Sequence, residues 1–258
     1  MAERTSHPVG APCWADMATP QLDAVTAFYT DLFGWRATSP PGADGSYRTM
    51  TLDGLDVCAV YTMSAQRAEA GEHPGWLVYL NAPALDDTAR RAAELGGRVR
   101  VEPFDVPGVG RMALIADPTG GAVALWQAGP GIGARLWGQP GAVAWNELIT
   151  RDRGTAAAFL AELLGLTQEE LPPPACYTVL HGPEGPVMGV MQMDDSWPAG
   201  VGSHWMTYFA VVDTNDAIMH VHELGGTVHV APFDSPHGRV SVVSDPAGAL
   251  FAVMGPAA

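Results

Sequence analysis

Lysine is missing from this sequence altogether: its 13 basic residues are all arginine, set against 28 acids for a net charge of -15. Nucleic-acid binding needs basic patches that neutralise phosphates, and neither half of this chain is basic, so no nucleic-acid partner is expected. The excess of acid serves solubility instead. Cysteine is nearly missing too. Cys13, Cys58 and Cys176 are odd in number, widely spaced and without a CxxC pair, which excludes a disulfide framework or a zinc knuckle and reads as reduced thiols packed as small core hydrophobes. No apolar run approaches the ~20 residues of a membrane helix, so no membrane partner is expected. The opening MAERTSHPVG lacks the basic-then-apolar build of a signal peptide. Together these absences predict a soluble, cytoplasmic protein.

What the sequence does contain is itself, twice. GRMALIADPTGGAVALW from Gly110 matches GRVSVVSDPAGALFAVM from Gly238, and WADMATPQLDAVTAFYTDLFGW from Trp14 matches WNELITRDRGTAAAFLAELLGL from Trp145. WLVYLNAPALDDTARRAAELGG from Trp76 matches WMTYFAVVDTNDAIMHVHELGG from Trp205. A tandem duplication predicts two domains, residues 1–129 and 141–258, joined by a Gly/Pro-rich linker over residues 130–140.

Each copy repeats again within itself. A short apolar strand turns at Thr19-Pro20 or at Asn81-Ala82-Pro83 and enters a helix with apolar residues at helical spacing, such as Val25, Phe28, Tyr29 and Leu32. The helix stops at Gly34 or Gly96-Gly97, where a residue without Cβ takes the left-handed conformation. Three strands follow, the last two joined by the tight Asp-Pro-x-Gly turn. The unit is βαβββ, used four times.

Four such units, with AFYTDLFGW closing the first helix, ELGG closing the second and DPxG before the last strand, resemble the vicinal oxygen chelate superfamily of glyoxalase I, extradiol dioxygenases and bleomycin-resistance proteins. The resemblance covers nearly the whole chain after about residue 10 and implies an α+β fold: two tandem glyoxalase-like domains, each a pair of βαβββ units forming a cupped mixed sheet. It is nearest to two-domain glyoxalase-like proteins of GC-rich bacteria, often labelled hydroxylases or antibiotic-associated proteins. Its enzymes carry metal ligands on the first and last strands of the cup. Those positions fall here at Trp14 and Trp145, at Leu77 and Met206, and at Ala124 and Ala252. None of these side chains donates a lone pair to a divalent cation, so neither metal nor any other cofactor is expected.

Strand alternation, in which residues i and i+2 share a face, gives the expected lining. In the first copy it is Trp14 and Asp16, Leu77 and Tyr79, then Ala122, Ala124 and Trp126; in the second, Trp145 and Glu147, His204, Met206 and Tyr208, then Leu250, Ala252 and Met254. Small residues on one wall with Trp, Tyr and Met on the others describe an apolar slot for a flat, polarizable ligand. Asp16 and Glu147 are each expected to pair with an arginine or to face a wet cavity, because a carboxylate buried alone is costly. Tyr79 and Tyr208 bond either backbone or ligand. Arg111 and Arg239 are expected to pair with Asp105 and Asp234, and His220 and His222, two apart on a helix, to lie on the surface.

Three functions compete. The first is a metal-free binding protein that sequesters or carries a hydrophobic planar aromatic natural product, as a monomer or homodimer, in antibiotic resistance or as an accessory to biosynthesis. The second is a metal-independent isomerase, cyclase or hydroxylase-like enzyme on a similar aromatic polyketide, with Asp16 or Glu147 as base and Tyr79, Tyr208 or His204 as proton donor. A metal-dependent lyase or dioxygenase comes third, because a one-residue error in strand register would move every assigned face.

Overall fold

Strand β1 (Pro12–Thr19) leads through helix α1 (Leu22–Phe33) to β2 (Arg36–Thr38), β3 (Tyr47–Leu52) and β4 (Leu55–Thr62). A short helix α2 (Ala65–Glu69) follows, and then the second unit: β5 (Gly75–Asn81), α3 (Leu85–Glu94), β6 (Arg98–Val106), β7 (Gly110–Ala116) and β8 (Ala122–Ala128). The second copy repeats the order with β9 (Val143–Thr150), α4 (Arg153–Leu164), β10 (Thr167–Glu170), β11 (Tyr177–Gly182) and β12 (Gly185–Gln192). It closes with β13 (His204–Ala210), α5 (Thr214–Glu223), β14 (Thr227–Ser235), β15 (Gly238–Ser244) and β16 (Leu250–Gly255). The computed structural model describes residues 3–39 and 44–257, so the outer ends of the expected domains, residues 1–2 and 258, lie outside the described residues.

Each copy makes one eight-stranded mixed sheet, ordered β2-β3-β4-β1-β5-β8-β7-β6 in the first and β10-β11-β12-β9-β13-β16-β15-β14 in the second. The opening strands of the two units run antiparallel at the centre, and the closing strand of each unit lies parallel to its opener. Local chemistry explains the joints. Gly34 and Gly165 cap α1 and α4 at φ 71 and φ 68, where a Cβ would be strained. In the Asp-Pro-x-Gly turns the aspartate is the organiser: Asp117 Oδ1 accepts from the amides of Thr119 and Gly121, and Asp245 Oδ1 from those of Ala247 and Ala249. Helix α2, absent from the expected unit, starts where the Ser64 hydroxyl accepts from the Arg67 amide.

Helices α1, α3, α4 and α5 cover one face of each sheet, and the covered faces meet across the two copies. One core joins Val78, Leu80, Leu85 and Ile115 of the first copy to Leu148, Phe159, Leu160 and Met188 of the second. The other joins Met17, Phe28, Tyr29 and Trp35 to Phe209, Val221, Phe251 and Val253. Each copy therefore completes its first unit with the other copy's second. Across the second core Tyr29 donates to Asp245 Oδ2 at 3.2 Å and accepts from Trp76 Nε1 at 3.3 Å. Leu160 holds the matching place on α4, and there Asp117 Oδ2 and Trp205 Nε1 are buried without partners. One hydroxyl thus accounts for a difference between the two cores.

The segment between the copies is docked rather than free. Gly133, at φ 98, passes so close to β1 that a Cβ would lie 2.2 Å from the Cys13 carbonyl oxygen, and the amides of Ala134 and Arg135 donate to the carbonyls of Cys13 and Asp56. The buried His7 reaches the Ala134 carbonyl at 2.8 Å, and burial lowers its pKa to about 4. Of the cysteines, Cys13 and Cys58 are buried. Cys176, expected in a core, is instead exposed at φ 45 in the loop before β11, where the turn leaves it nothing to pack against.

Candidate functional site

Strand register puts the expected lining residues side by side on the helix-free face of each sheet. In the first copy Trp14 lies opposite Tyr79 and Tyr79 beside Ala124, with Asp16 opposite Leu77. In the second, Trp145 lies opposite Tyr208 and Tyr208 beside Ala252, with Glu147 opposite Met206. Trp14, Trp145, Leu77, Tyr208 and Met254 are half-buried, while Ala124, Ala252 and Met206 are buried. Trp126 is 7% exposed and its indole N–H donates to the Gly131 carbonyl, so it forms a wall rather than an open stacking surface. His204 turns its Nδ1 to the Gly202 carbonyl and its ring against Trp197.

The carboxylates have neither of the surroundings expected for them. Neither is paired with an arginine nor wet: Asp16 and Glu147 are 3% and 4% exposed, and their partners are tyrosines. Tyr79 Oη donates to Asp16 Oδ2 at 2.7 Å. Tyr208 Oη donates to Glu147 Oε1 at 2.6 Å, and Tyr177 Oη to Glu147 Oε2 at 2.8 Å. Tyr177 in turn accepts from Trp145 Nε1 at 2.8 Å. Desolvation dominates both acids. Burial pushes the Asp16 carboxyl up to about 7 against the opposing pull of Tyr79 and Arg67, and raises Glu147 above its usual range against its two tyrosines.

Tyr177 and its counterpart Tyr47 are the site residues that alternation along single strands did not reveal, because they come from the neighbouring strands β11 and β3. Tyr177 lies over Gly189, where a Cβ would stand 1.7 Å from its hydroxyl. Gly189→Ala should therefore drive Tyr177 off Glu147, leave a buried oxygen without its donor and cost about 1–3 kcal/mol in chemical denaturation. A stability equal to that of the parent would count against the packing described. Phe104 and Phe233 were also missed. They stand on the outer strands β6 and β14, opposite Met112 and Val240 on the same faces, and are 43% and 46% exposed.

The two arginines that open the β7 and β15 strands are spent on structure. Arg111 pairs with Asp86 at 2.6 Å and Asp105 at 3.1 Å, and Arg239 with Asp234 at 2.9 Å. A groove of about 360 Å³ at the β6–β7 hairpin lies beside Arg111, away from both buried carboxylates, and offers no charge left free for a ligand. His220 and His222 are exposed.

Residues 12–125 match the family model of the glyoxalase/bleomycin resistance protein/dioxygenase superfamily, and residues 143–254 match that of a glyoxalase-like domain. CFP32 of Mycobacterium tuberculosis is 38% identical over 262 residues, spanning 100% of this chain and 99% of its own. The chain belongs to the glyoxalase/bleomycin resistance protein/dioxygenase superfamily. Within that superfamily the anthracycline biosynthesis protein DnrV of Streptomyces peucetius is also 38% identical, over 95% of this chain and 93% of its own. Among solved structures, a Mn(II)-bound glyoxalase from Novosphingobium aromaticivorans superposes with a TM-score of 0.67 at 16% identity, over 96% of this chain and 82% of that one. The 2,3-dioxygenase LapB from Pseudomonas sp. KL28 gives 0.67 at 13% identity, over 98% and 94%. At those identities the likeness is one of fold.

A metal of the kind that glyoxalase holds does not fit the donors present in this superfamily member. Catalytic divalent ions take two or three protein ligands, whereas Asp16 and Glu147 are hydrogen-bonded by tyrosine and stand beside Trp, Leu, Met and Ala, Glu169 and His181 pair with each other on the outer strands, and His204 turns its Nδ1 to the Gly202 carbonyl. Among the described residues no three His, Cys, Asp or Glu side chains converge, and no helix is long and apolar enough to cross a membrane.

Proposed function

We propose that this protein binds a planar aromatic polyketide of the anthracycline kind on the helix-free face of its sheet and carries it without metal. The observation that bears most weight is the face itself: Trp14, Leu77, Ala124 and Trp126 stand around one buried carboxyl, and none of the four side chains can ligate a divalent ion. Flat rings gain from such surfaces by stacking and by burial of apolar area. The chemical class is supported by the relatives DauV and DnrV, both named for anthracycline biosynthesis, since anthracyclines are fused-ring aromatic polyketides.

A polycyclic aromatic ketone should quench tryptophan emission saturably, and Trp14→Ala should weaken binding by about 1 kcal/mol. Titration without saturable quenching would sink the proposal. One observation favours a second reading, metal-independent proton transfer to the bound ring: the Asp16 carboxyl, raised to about 7, sits where an acid–base group works best at neutral pH. Ligand recovered unchanged after long incubation supports carriage. Time-dependent conversion that Asp16→Asn abolishes supports catalysis.

A further inference from the structure

The two copies of the tryptophan–tyrosine–carboxyl cluster differ in one oxygen atom. In the second copy both oxygens of Glu147 are taken, one by Tyr208 and one by Tyr177, and Tyr177 is itself taken by Trp145. That cluster is closed on itself. In the first copy Oδ2 of Asp16 is taken by Tyr79, while Oδ1 is buried and has no partner.

Two substitutions create this difference. The aspartate is one methylene shorter than the glutamate. The position beside it on the neighbouring strand is Ala59, where the second copy has Gly189. Because a Cβ at 189 would overlap the Tyr177 hydroxyl, Tyr47 cannot lie over Ala59 as Tyr177 lies over Gly189. Natural proteins rarely leave a buried carboxyl oxygen without a donor, since the desolvation it has undergone is then uncompensated.

We propose that the first copy, and not the second, takes the polar group of the ligand: a ring hydroxyl of a planar phenol or hydroxyquinone donating to Asp16 Oδ1, its ring against Trp14 and Leu77. This rests on the reading that the ligand lies on the helix-free face. The groups facing Asp16 suit a neutral donor. They are Tyr47 of β3, Tyr61 of β4 and Tyr79 of β5, with the thiol of Cys58 adjacent. Arg67 of α2 donates to the Tyr61 hydroxyl at 3.1 Å and to Glu72 at 2.8 Å instead of to the carboxyl. No cation therefore competes with the incoming hydroxyl. Only the ionised carboxyl accepts at both oxygens, from Tyr79 at Oδ2 and from the ligand hydroxyl at Oδ1, so with Asp16 titrating at about 7 the preference for a hydroxyl-bearing ring should shrink as pH falls below 7 and level off above.

The test uses the full chain and a matched pair of flat tetracyclic probes, 1-hydroxypyrene and 1-methoxypyrene, titrated by fluorescence and calorimetry. Expected for the parent protein are one 1-hydroxypyrene per chain and a preference of at least about tenfold over the methyl ether at pH 8, shrinking below pH 7. Asp16→Asn should lose the pH dependence and at least about tenfold of the preference, with its fold checked by thermal unfolding. Glu147→Gln should keep stoichiometry, preference and pH profile. Two probes per chain, equal affinity for both probes, or loss of the preference in Glu147→Gln and not in Asp16→Asn overturns the assignment while leaving ligand binding standing. If neither pyrene binds, the ligand-binding reading fails and this assignment falls with it.

Discussion

Asp16→Asn makes the protein more stable at pH 8, by of the order of 2 kcal/mol or about 4–8 °C in Tm, even as it removes the group assigned to the ligand. The sign follows from the direction of the shift. In the unfolded chain this carboxyl ionises near its ordinary value of 3.8; in the fold, burial raises it to about 7. The folded state therefore holds a proton that the unfolded state has released. The stability this contributes is fully present below about pH 4 and is lost as pH rises through 7, a swing of about 4 kcal/mol for roughly three pKa units. The amide cannot ionise and escapes that loss, although its NH₂ inherits the side of Asp16 that has no partner, which offsets part of the gain. Denaturation of parent and variant side by side from pH 4 to pH 9 isolates the term, because every other titrating group cancels in the difference. Curves that run parallel would show that Asp16 does not titrate as described.

Phe209→Ala should be the most damaging single truncation, at about 3–5 kcal/mol. Phe209 is fully buried on β13, yet its ring neighbours include Phe33 at 5.1 Å, Trp35 at 5.5 Å and Trp76 at 5.0 Å, all from the first copy. The cavity would thus open in a core that both copies share. The loss should appear as one shifted transition by tryptophan emission and by circular dichroism together. A second transition appearing at low denaturant, with half the amplitude, would mean that the copies unfold separately.

The sequence made the sheet legible because a strand repeats every two residues and the chain repeats every copy. The four βαβββ units, the glycine stops and the aspartate turns each have a local cause, so Trp14, Asp16, Leu77 and Tyr79 could be placed on one face before their partners were known. Matching places in the repeat also held the signal for Tyr47 and Tyr177, each of which opens the second strand after its helix. What single strands cannot report is which neighbour reaches across, and so the carboxyls were expected to meet arginine or water when they meet tyrosine. The exchange of cores between copies was not legible either. The apolar stripe of α1 shows that Phe28 and Tyr29 are buried, but nothing in its spacing says that Phe251 and Asp245, more than two hundred residues later, bury them.

That exchange has an evolutionary side. Two separate polypeptides assembled in this way would lose their shared cores on dilution, whereas one chain holds its halves at an effective concentration set by the docked segment between them. A symmetric pair of identical subunits must also change both of its clusters whenever it changes one. Fusion lifts that constraint: a single mutation can turn Gly189 against Ala59, or Glu147 against Asp16, in one half alone. One cluster is then free to be kept closed as a strut while the other stays open to selection by whatever molecule it meets.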